Sequence, residues 1–308
     1  MAADGDDRPR LRLRSCAERL GARAGSWSHS VNDSIPEQTI AFATKHGKER
    51  QFGPALSRSV GVDVVVAGLD TDQLGTFTGE VQRPADQLET ARRKARWAID
   101  YTGSRYGLSS EGPFGPHPQI PFVAAGLEVA VFIDSQEGVE VVERLWCTDT
   151  NFAQLTISDP SLPEAFLDRV GFPSHALIVS TSRDQGPFLK GMQHRDELRG
   201  AIATSIDTHD TAFVQTDMRA HLNPARQRCL HELAERLSAR LLARCPGCAA
   251  RGWGVVDYQL GLPCEWCGSQ TELIAAEVFG CARSSCTHEE TKSRQGLASP
   301  ASCPRCNP

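Results

Sequence analysis

Hydrophobic and polar positions along this chain switch repeatedly between the strand period and the helix period. Residues 39–44 (TIAFAT) form a short strand-like run, followed by Lys45-His46-Gly47-Lys48 and a helix-like stretch to residue 59. Residues 62–66 (VDVVV) are rich in valine, which predicts a second buried strand. A Gly/Thr-rich loop over residues 70–80 leads to a long helix predicted from about 84 to 101. Pro84 suits its first turn, and Leu88, Ala91, Ala95 and Ala98 fall on one face. Strands are predicted at 106–110, 128–134, 139–146, 175–180 and 211–216, with helices at 161–169 and 197–205. Asn223-Pro224 then opens a helix running to 243, with asparagine as N-cap and proline at the first helical position. Strands alternating with helices, some strands being hairpin-like neighbours, imply an α/β domain built on a mixed sheet.

The ends of the chain depart from this pattern. Arg8, Arg10, Arg12, Arg14, Arg19 and Arg23 crowd the first 37 residues, offset by acidic residues and with few large apolar anchors. Such a segment cannot offset its ordering entropy, so residues 1–37 are expected to be a solvated tail. The α/β domain is expected over 38–244 and a small cysteine-rich module over 245–308. Of the 11 cysteines, all but Cys16, Cys147 and Cys229 lie between Cys245 and Cys306.

Those eight fall into Cys245-Pro-Gly-Cys248, Cys264-Glu-Trp-Cys267, Cys281-Ala-Arg-Ser-Ser-Cys286 and Cys303-Pro-Arg-Cys306. A C-x-x-C turn sets two thiolates on one side of a tight bend, and two such turns complete a tetrahedral site of four cysteines. A module of this size with few aromatics gains from a metal the folding energy that its small core does not supply. Two structural zinc ions are therefore expected. Gly247 and Gly268 are expected to let the backbone wrap round the sulfurs. Sequential use pairs Cys245, Cys248, Cys264 and Cys267 in one site and Cys281, Cys286, Cys303 and Cys306 in the other. A cross-braced arrangement is the alternative, with His288 as a substitute for Cys286. Four thiolates leave no open position for catalysis. Cys147 and Cys229 are expected to be small buried side chains.

Composition narrows the class. The 308 residues are 40% hydrophobic and 23% charged, enough to bury a core, and the net charge of -5 excludes a generally basic nucleic-acid coat protein. The cysteine-rich end carries no basic surplus, which disfavours nucleic acid there and leaves protein contact or a homodimer as the expected role. No apolar run is long enough to span a bilayer and no secretory h-region opens the chain, so a cytoplasmic protein without a membrane partner is expected.

Candidate chemistry sits where strands end, the usual ligand edge of open α/β sheets. The run Thr44-Lys45-His46-Gly47-Lys48 joins a strand to a helix. A glycine there frees backbone N–H groups and two lysines complete a phosphate cradle, although the spacing is not that of a Walker loop. His117, between two prolines, presents an imidazole from a rigid loop or is a polar turn residue.

The segments ATKHGKE, DTDQLGTFTGE, EGPFGPHP, TDMRAHLNPAR and CPRCNP resemble an uncharacterised bacterial family, a domain of unknown function, from about residue 39 to the end. A more distant resemblance is to the inosine triphosphate pyrophosphatase superfamily. Its opening A-T-x-N-x-x-K-x-x-E-F is similar to the run from Ala43 to Phe52, one residue shorter before the lysine, with His46 near the asparagine. Its E-N-A-x-x-K-A is matched by Glu89-Thr90-Ala91-Arg92-Arg93-Lys94-Ala95, and its T-G and D-D-S-G by Thr102-Gly103 and Ser109-Ser110-Glu111-Gly112. Gly171-Phe172-Pro173, and His221 with Arg226, look like its later G-F-G loop and S-H-R base-contact motif. Serines replace the metal-binding aspartates, and Glu111 is displaced by one position.

The resemblance implies a mixed-sheet fold similar to that superfamily's and a Mg²⁺-dependent nucleoside triphosphate pyrophosphohydrolase. Lys48, Lys45 and Lys94 would hold phosphates, with Thr44 and His46 in the same loop. Glu111, with Asp72, Glu80 or further acids at Asp70 and Glu89, would hold magnesium and orient water. His221 and Arg226 would contact the base or phosphates. The alternative is a non-catalytic sensor or adaptor that binds a nucleotide or other phosphorylated small molecule and docks a partner through its zinc module.

Overall fold

β1 (Thr39–Ala43) is buried along its whole length because it runs between two parallel neighbours, β2 (Asp63–Val66) and β3 (Tyr106–Glu111). A strand paired on both sides and covered on both faces needs an unbroken apolar run, which Ile40, Ala41 and Phe42 supply. The computed structural model describes residues 39–74, 86–118, 120–183 and 186–307. The expected tail, Glu80 and Pro84 lie outside the described residues.

Helices supply the crossovers. α1 (Glu49–Val60) buries Phe52, Ala55 and Leu56, with the Phe52 ring edge-on to Phe42 at 5.3 Å, and Gly61 closes it in a left-handed C-cap. α2 (Gln87–Thr102) is capped by Asp86, whose carboxylate accepts from the Glu89 N–H at 2.8 Å. Its predicted small face is observed, with Ala91, Ala95 and Ala98 buried. It lies so close to β3 that a Cβ on Gly107 would sit 2.3 Å from the Ala95 carbonyl. β4 (Phe114–Pro116), β5 (Ala124–Asp134) and β6 (Val139–Cys147) complete a sheet ordered β2-β1-β3-β5-β4, with β6 also on β5. It is the mixed sheet that the sequence predicts.

A second sheet was not predicted. β7 (Gln154–Ile157), β8 (Leu177–Ser180), β9 (Leu189–Met192) and β10 (Ala212–Thr216) pair antiparallel in the order β7-β10-β8-β9. α3 (Glu164–Val170) and α4 (Arg195–His209) contribute Phe166, Leu167, Leu198 and Ile202 to its core. β4, β7 and β9 escape sequence reading because each is at most four residues long and half-exposed, with no clear alternation. α5 (Pro224–Leu242) starts as predicted, the Asn223 side-chain oxygen accepting from the Arg226 N–H at 2.9 Å.

The expectation for the lone cysteines needs correction. Cys147, at the end of β6, and Cys229, on α5, are joined as a disulfide, their Cα atoms 6.1 Å apart across 82 residues of sequence. Both are buried, as expected, but as one crosslink. A pairing over that separation depends on tertiary placement that local pattern does not carry.

The chain divides into two compact units. One reaches to Phe132 and resumes over Val142–Arg236; the other comprises Ile133–Val141 and Leu237–Pro308. In the second, β11 (Gly254–Leu260), β12 (Ile274–Gly280) and β13 (Glu289–Ser293) form an antiparallel meander. Among the described residues no helix is long and apolar enough to cross a membrane.

Candidate functional site

The first strand and its loop bring most of the predicted site residues together. Gly47 turns the chain with φ 73°, and Lys48 stands at the N-cap of α1. Thr44, Lys45, His46 and Lys48 then line one pocket with Asp72, with Lys94 from α2, with Ser110 and Glu111 at the end of β3, and with Arg226 from α5. His221 is not in the lining but stacks on His46, ring centroids 5.5 Å apart. His117 lies elsewhere, its ring 5.2 Å from that of Trp146. Glu89 pairs with Arg93 at 3.1 Å on the exposed side of α2.

The charges are buried and interlocked. Lys94 donates to Glu111 at 2.6 Å, both side chains being nearly inaccessible. The Lys48 ammonium donates to the carbonyl of Ser110. Burial pulls the Lys48 pKa down to about 8, with the Arg226 guanidinium as the next cause. Desolvation likewise holds His46 at about 4, so its ring is neutral near pH 7, and it lowers His221 in the same direction. Lys45 sits at the more open rim, bonded to Asp70 at 2.8 Å and to Asp72 at 2.6 Å. Those hydrogen bonds raise its pKa.

The far wall comes from the TDMRAHLNPAR segment. Asp217, fully buried, accepts from the Arg219 side chain, at 2.6 Å from Nη2, and from the backbone N–H groups of Gly191 and Arg219. Asn223 donates to Asn151 at 2.9 Å and caps α5, which aims Arg226 inward. Arg226 Nε meets Glu128 at 2.7 Å, and its Nη1 donates to the Met218 carbonyl. Sequence reasoning missed Arg219, Asp217 and Glu128 as single residues. For the first two the signal was present, since the TDMRAHLNPAR segment contains both.

Two hydroxyls in the lining have no partner among the described residues. Thr44 Oγ1 and Ser110 Oγ are buried without a hydrogen bond, whereas neighbouring Ser109 donates to the Ala91 carbonyl on α2. A buried unpaired hydroxyl costs about 1–3 kcal/mol. Both belong to residues that line the same cationic pocket.

In the second unit the eight clustered cysteines form two groups, Cys245, Cys248, Cys281 and Cys286, and Cys264, Cys267, Cys303 and Cys306. Within each group all sulfurs lie within 4.8 Å of one another. The sequential pairing is thereby corrected to the cross-braced one, and Cys286, not His288, completes the first group. The antiparallel meander explains this. The start of β11, the end of β12 and the start of β13 share one end of the ribbon, so cysteine pairs alternate between ends. Sulfur separations of 3.5 Å (Cys248–Cys281), 3.6 Å (Cys267–Cys303) and 3.9 Å (Cys245–Cys286 and Cys264–Cys306) match the edge of about 3.8 Å of a tetrahedron with metal–sulfur bonds near 2.3 Å. The C-x-x-C turns share their hydrogen bonding: Ala249 N–H to Cys245 O at 2.8 Å, Gly268 N–H to Cys264 O at 2.9 Å. In these two turns the left-handed position follows the second cysteine, at Gly268 as expected but at Ala249 instead of Gly247. A backbone hydrogen bond from Ala250 draws the Cys248 thiol down to about 7, and Ser269 draws Cys267 down to about 6. Burial raises Cys281 to about 12 in the first group, and the Cys267 sulfur raises Cys306 to about 12 in the second, so an ion binding to either group displaces thiol protons.

The model of a domain of unknown function, DUF6671, matches residues 94–308, well over half of the chain. The chain belongs to that family. No curated protein matches it. The matched stretch holds both cysteine groups and Lys94, Glu111, Arg219 and Arg226, while Thr44 to Lys48 and Asp72 precede it.

The magnesium implied by the superfamily resemblance can be tested on the donors present. Among the described residues Asp72 and Glu111 are the carboxylates of the lining, and each already holds a lysine ammonium at 2.6 Å. Lys45, Lys48, Lys94, Arg219 and Arg226 surround them. Mg²⁺ asks for carboxylate oxygens not neutralised by ammonium groups. These residues do not fit a resident magnesium ion.

Proposed function

We propose that the α/β unit binds a nucleoside triphosphate or related phosphorylated small molecule as a sensor, with a metal-stabilised module attached. The observation that carries this reading is the buried cluster of Lys48, Lys94 and Arg226 against Glu111 and Glu128, with the unpaired hydroxyls of Thr44 and Ser110 beside it. Three buried cations facing two carboxylates leave positive charge in a desolvated place, and an entering phosphate compensates it. The strand-end position, the Gly47 turn and the resemblance of the Thr44–Lys48 and Lys94 segments to the inosine triphosphate pyrophosphatase superfamily support the same ligand class.

Pyrophosphohydrolysis of the bound nucleotide is the second reading, favoured by the placement of Glu111 at the end of β3, in the pocket lining. Titrating a panel of nucleoside triphosphates by calorimetry, and assaying the same samples for released pyrophosphate, separates the two. Binding without release supports the sensor, and release at catalytic rates supports the enzyme. The absence of binding rejects both.

For the cysteine groups we propose zinc. An all-thiolate tetrahedral donor set with no open position suits a structural zinc ion, and cross-bracing ties both ends of the meander. Elemental analysis of protein purified without chelator should return two zinc ions per chain. The module then serves protein contact, as its lack of basic surplus suggests.

A further inference from the structure

We infer that the pocket holds the terminal phosphate of its ligand directly, on hydroxyl, ammonium and guanidinium donors, with no divalent cation bridging phosphate to protein. The inference rests on the phosphate-ligand reading above and specifies how that ligand is held.

Three observations lead there. Ser109 and Ser110 stand where the superfamily resemblance places metal-binding aspartates, and the two serines are used differently. Ser109 is spent on the Ala91 carbonyl and fastens α2 to β3. Ser110 is buried at 3% exposure and lines the pocket, and its hydroxyl has no partner among the described residues. Thr44, at 6% exposure, repeats that condition on the neighbouring strand, since Ala43 and Ser109 are register partners of β1 and β3. A buried hydroxyl with a proton to donate therefore lies at the same end of two adjacent strands, just past β1 and one residue before the end of β3.

The two carboxylates of the described lining are committed in the opposite sense. Glu111 is bonded to Lys94, and Asp72 to Lys45, so each neutralises a lysine. A divalent cation would have to displace an ammonium group from a carboxylate and then sit among the remaining cations. A phosphate needs no such exchange. Its oxygens accept from Thr44 and Ser110, and its charge meets Lys48 and Arg226, which the structure already holds at the pocket wall.

The shared chemistry is a polyphosphate, which a nucleotide or an inorganic chain can present. Full-length protein is titrated with ATP and with inorganic tripolyphosphate, each in buffer stripped of divalent ions and again with Mg²⁺ in excess. The zinc content is checked before and after. Affinity without Mg²⁺ that equals or exceeds the affinity with it is the expected result. Tighter binding of ATP than of tripolyphosphate assigns the ligand to nucleotides, and equal binding assigns it to the phosphate chain; either is consistent with direct contact. Binding that appears, or tightens more than about tenfold, when Mg²⁺ is added overturns the inference and leaves the phosphate reading standing. No binding under any condition overturns both.

Ser110→Ala and Thr44→Val should each weaken metal-free binding by about tenfold, the loss of one hydrogen bond to a charged acceptor, without creating a Mg²⁺ requirement. Ser110→Asp provides the converse, with metal-free binding lost and partly restored by Mg²⁺. Thermal midpoints identify any variant that fails to fold. If Ser110→Asp does, the two conservative variants still decide, since wild-type affinity in both would defeat the assignment.

Discussion

Gly112 and Glu128 are in contact that no other residue at 112 would allow: a Cβ there would lie 2.2 Å from the Glu128 carboxylate. The glycine lets a fully buried carboxylate stand beside the chain leaving β3 and accept from Arg226 at 2.7 Å. Gly112→Ala should push Glu128 off Arg226, costing about 1–3 kcal/mol in urea denaturation through overpacking. It should also weaken tripolyphosphate binding, because the displaced Arg226 no longer faces the pocket. Unchanged stability in this variant would mean that Glu128 has room the structure does not show.

The buried ammonium of Lys48 sets the pH dependence of binding. Its pKa falls to about 8 in the folded chain against an ordinary 10.5, so above pH 8 the folded protein loses a proton that the unfolded chain keeps. Unliganded protein therefore gains stability between these values, while anion binding, which needs the proton, weakens. The dissociation constant for tripolyphosphate should rise by at most about tenfold per pH unit above pH 8. Lys45, raised by its hydrogen bonds to Asp70 and Asp72, keeps its charge in that window. His46, at about 4, stays neutral throughout. Lys48→Arg should flatten the profile, since guanidinium does not titrate there. A profile that remains steep in this variant would point to another group.

Periodicity made β1, β2, β3, the long helices and the small face of α2 legible in advance, because these elements bury continuous or regularly spaced apolar residues. Lys45 and Lys48 were legible as chemistry because they follow β1, and Glu111 because it ends β3 at the same edge of the sheet; Lys94, inside α2, was legible only through the superfamily resemblance. The disulfide, the Glu128–Arg226 pair and the second sheet were not. Each joins residues far apart in sequence, and β7 and β9 carry too few apolar positions to set a period. Cysteine pairing was recoverable in principle. Three strand-like runs separate the four pairs, and an antiparallel meander returns alternate pairs to the same end.

Double substitutions distinguish the two ways of sharing metal ions. Cys245→Ser with Cys281→Ser damages one group twice, so one metal ion per chain should remain. Cys245→Ser with Cys264→Ser damages both groups, and none should remain tightly bound. The sequential pairing demands the reverse counts, so elemental analysis of these two proteins decides between them. Loss of either ion should unfold its end of the meander, because so small a core depends on metal.

The Cys147–Cys229 crosslink closes a loop of 82 residues that contains the whole second sheet, and it ties the end of β6 to α5 one turn beyond Arg226. Restricting so long a loop in the unfolded chain stabilises the fold by about 4 kcal/mol on the loop-entropy estimate. Cys229→Ala, Cys147→Ala and the double variant should therefore lose similar amounts of stability, because removing either sulfur removes the whole bridge. Reducing the wild type with a phosphine should lower its midpoint towards theirs, while leaving the metal content at two ions, since the two thiolate groups need no oxidant. The same loss should weaken tripolyphosphate binding modestly, because α5, which carries Arg226, then loses its tie to β6. Single variants as stable as oxidised wild type would show that the two sulfurs are neighbours without a bond.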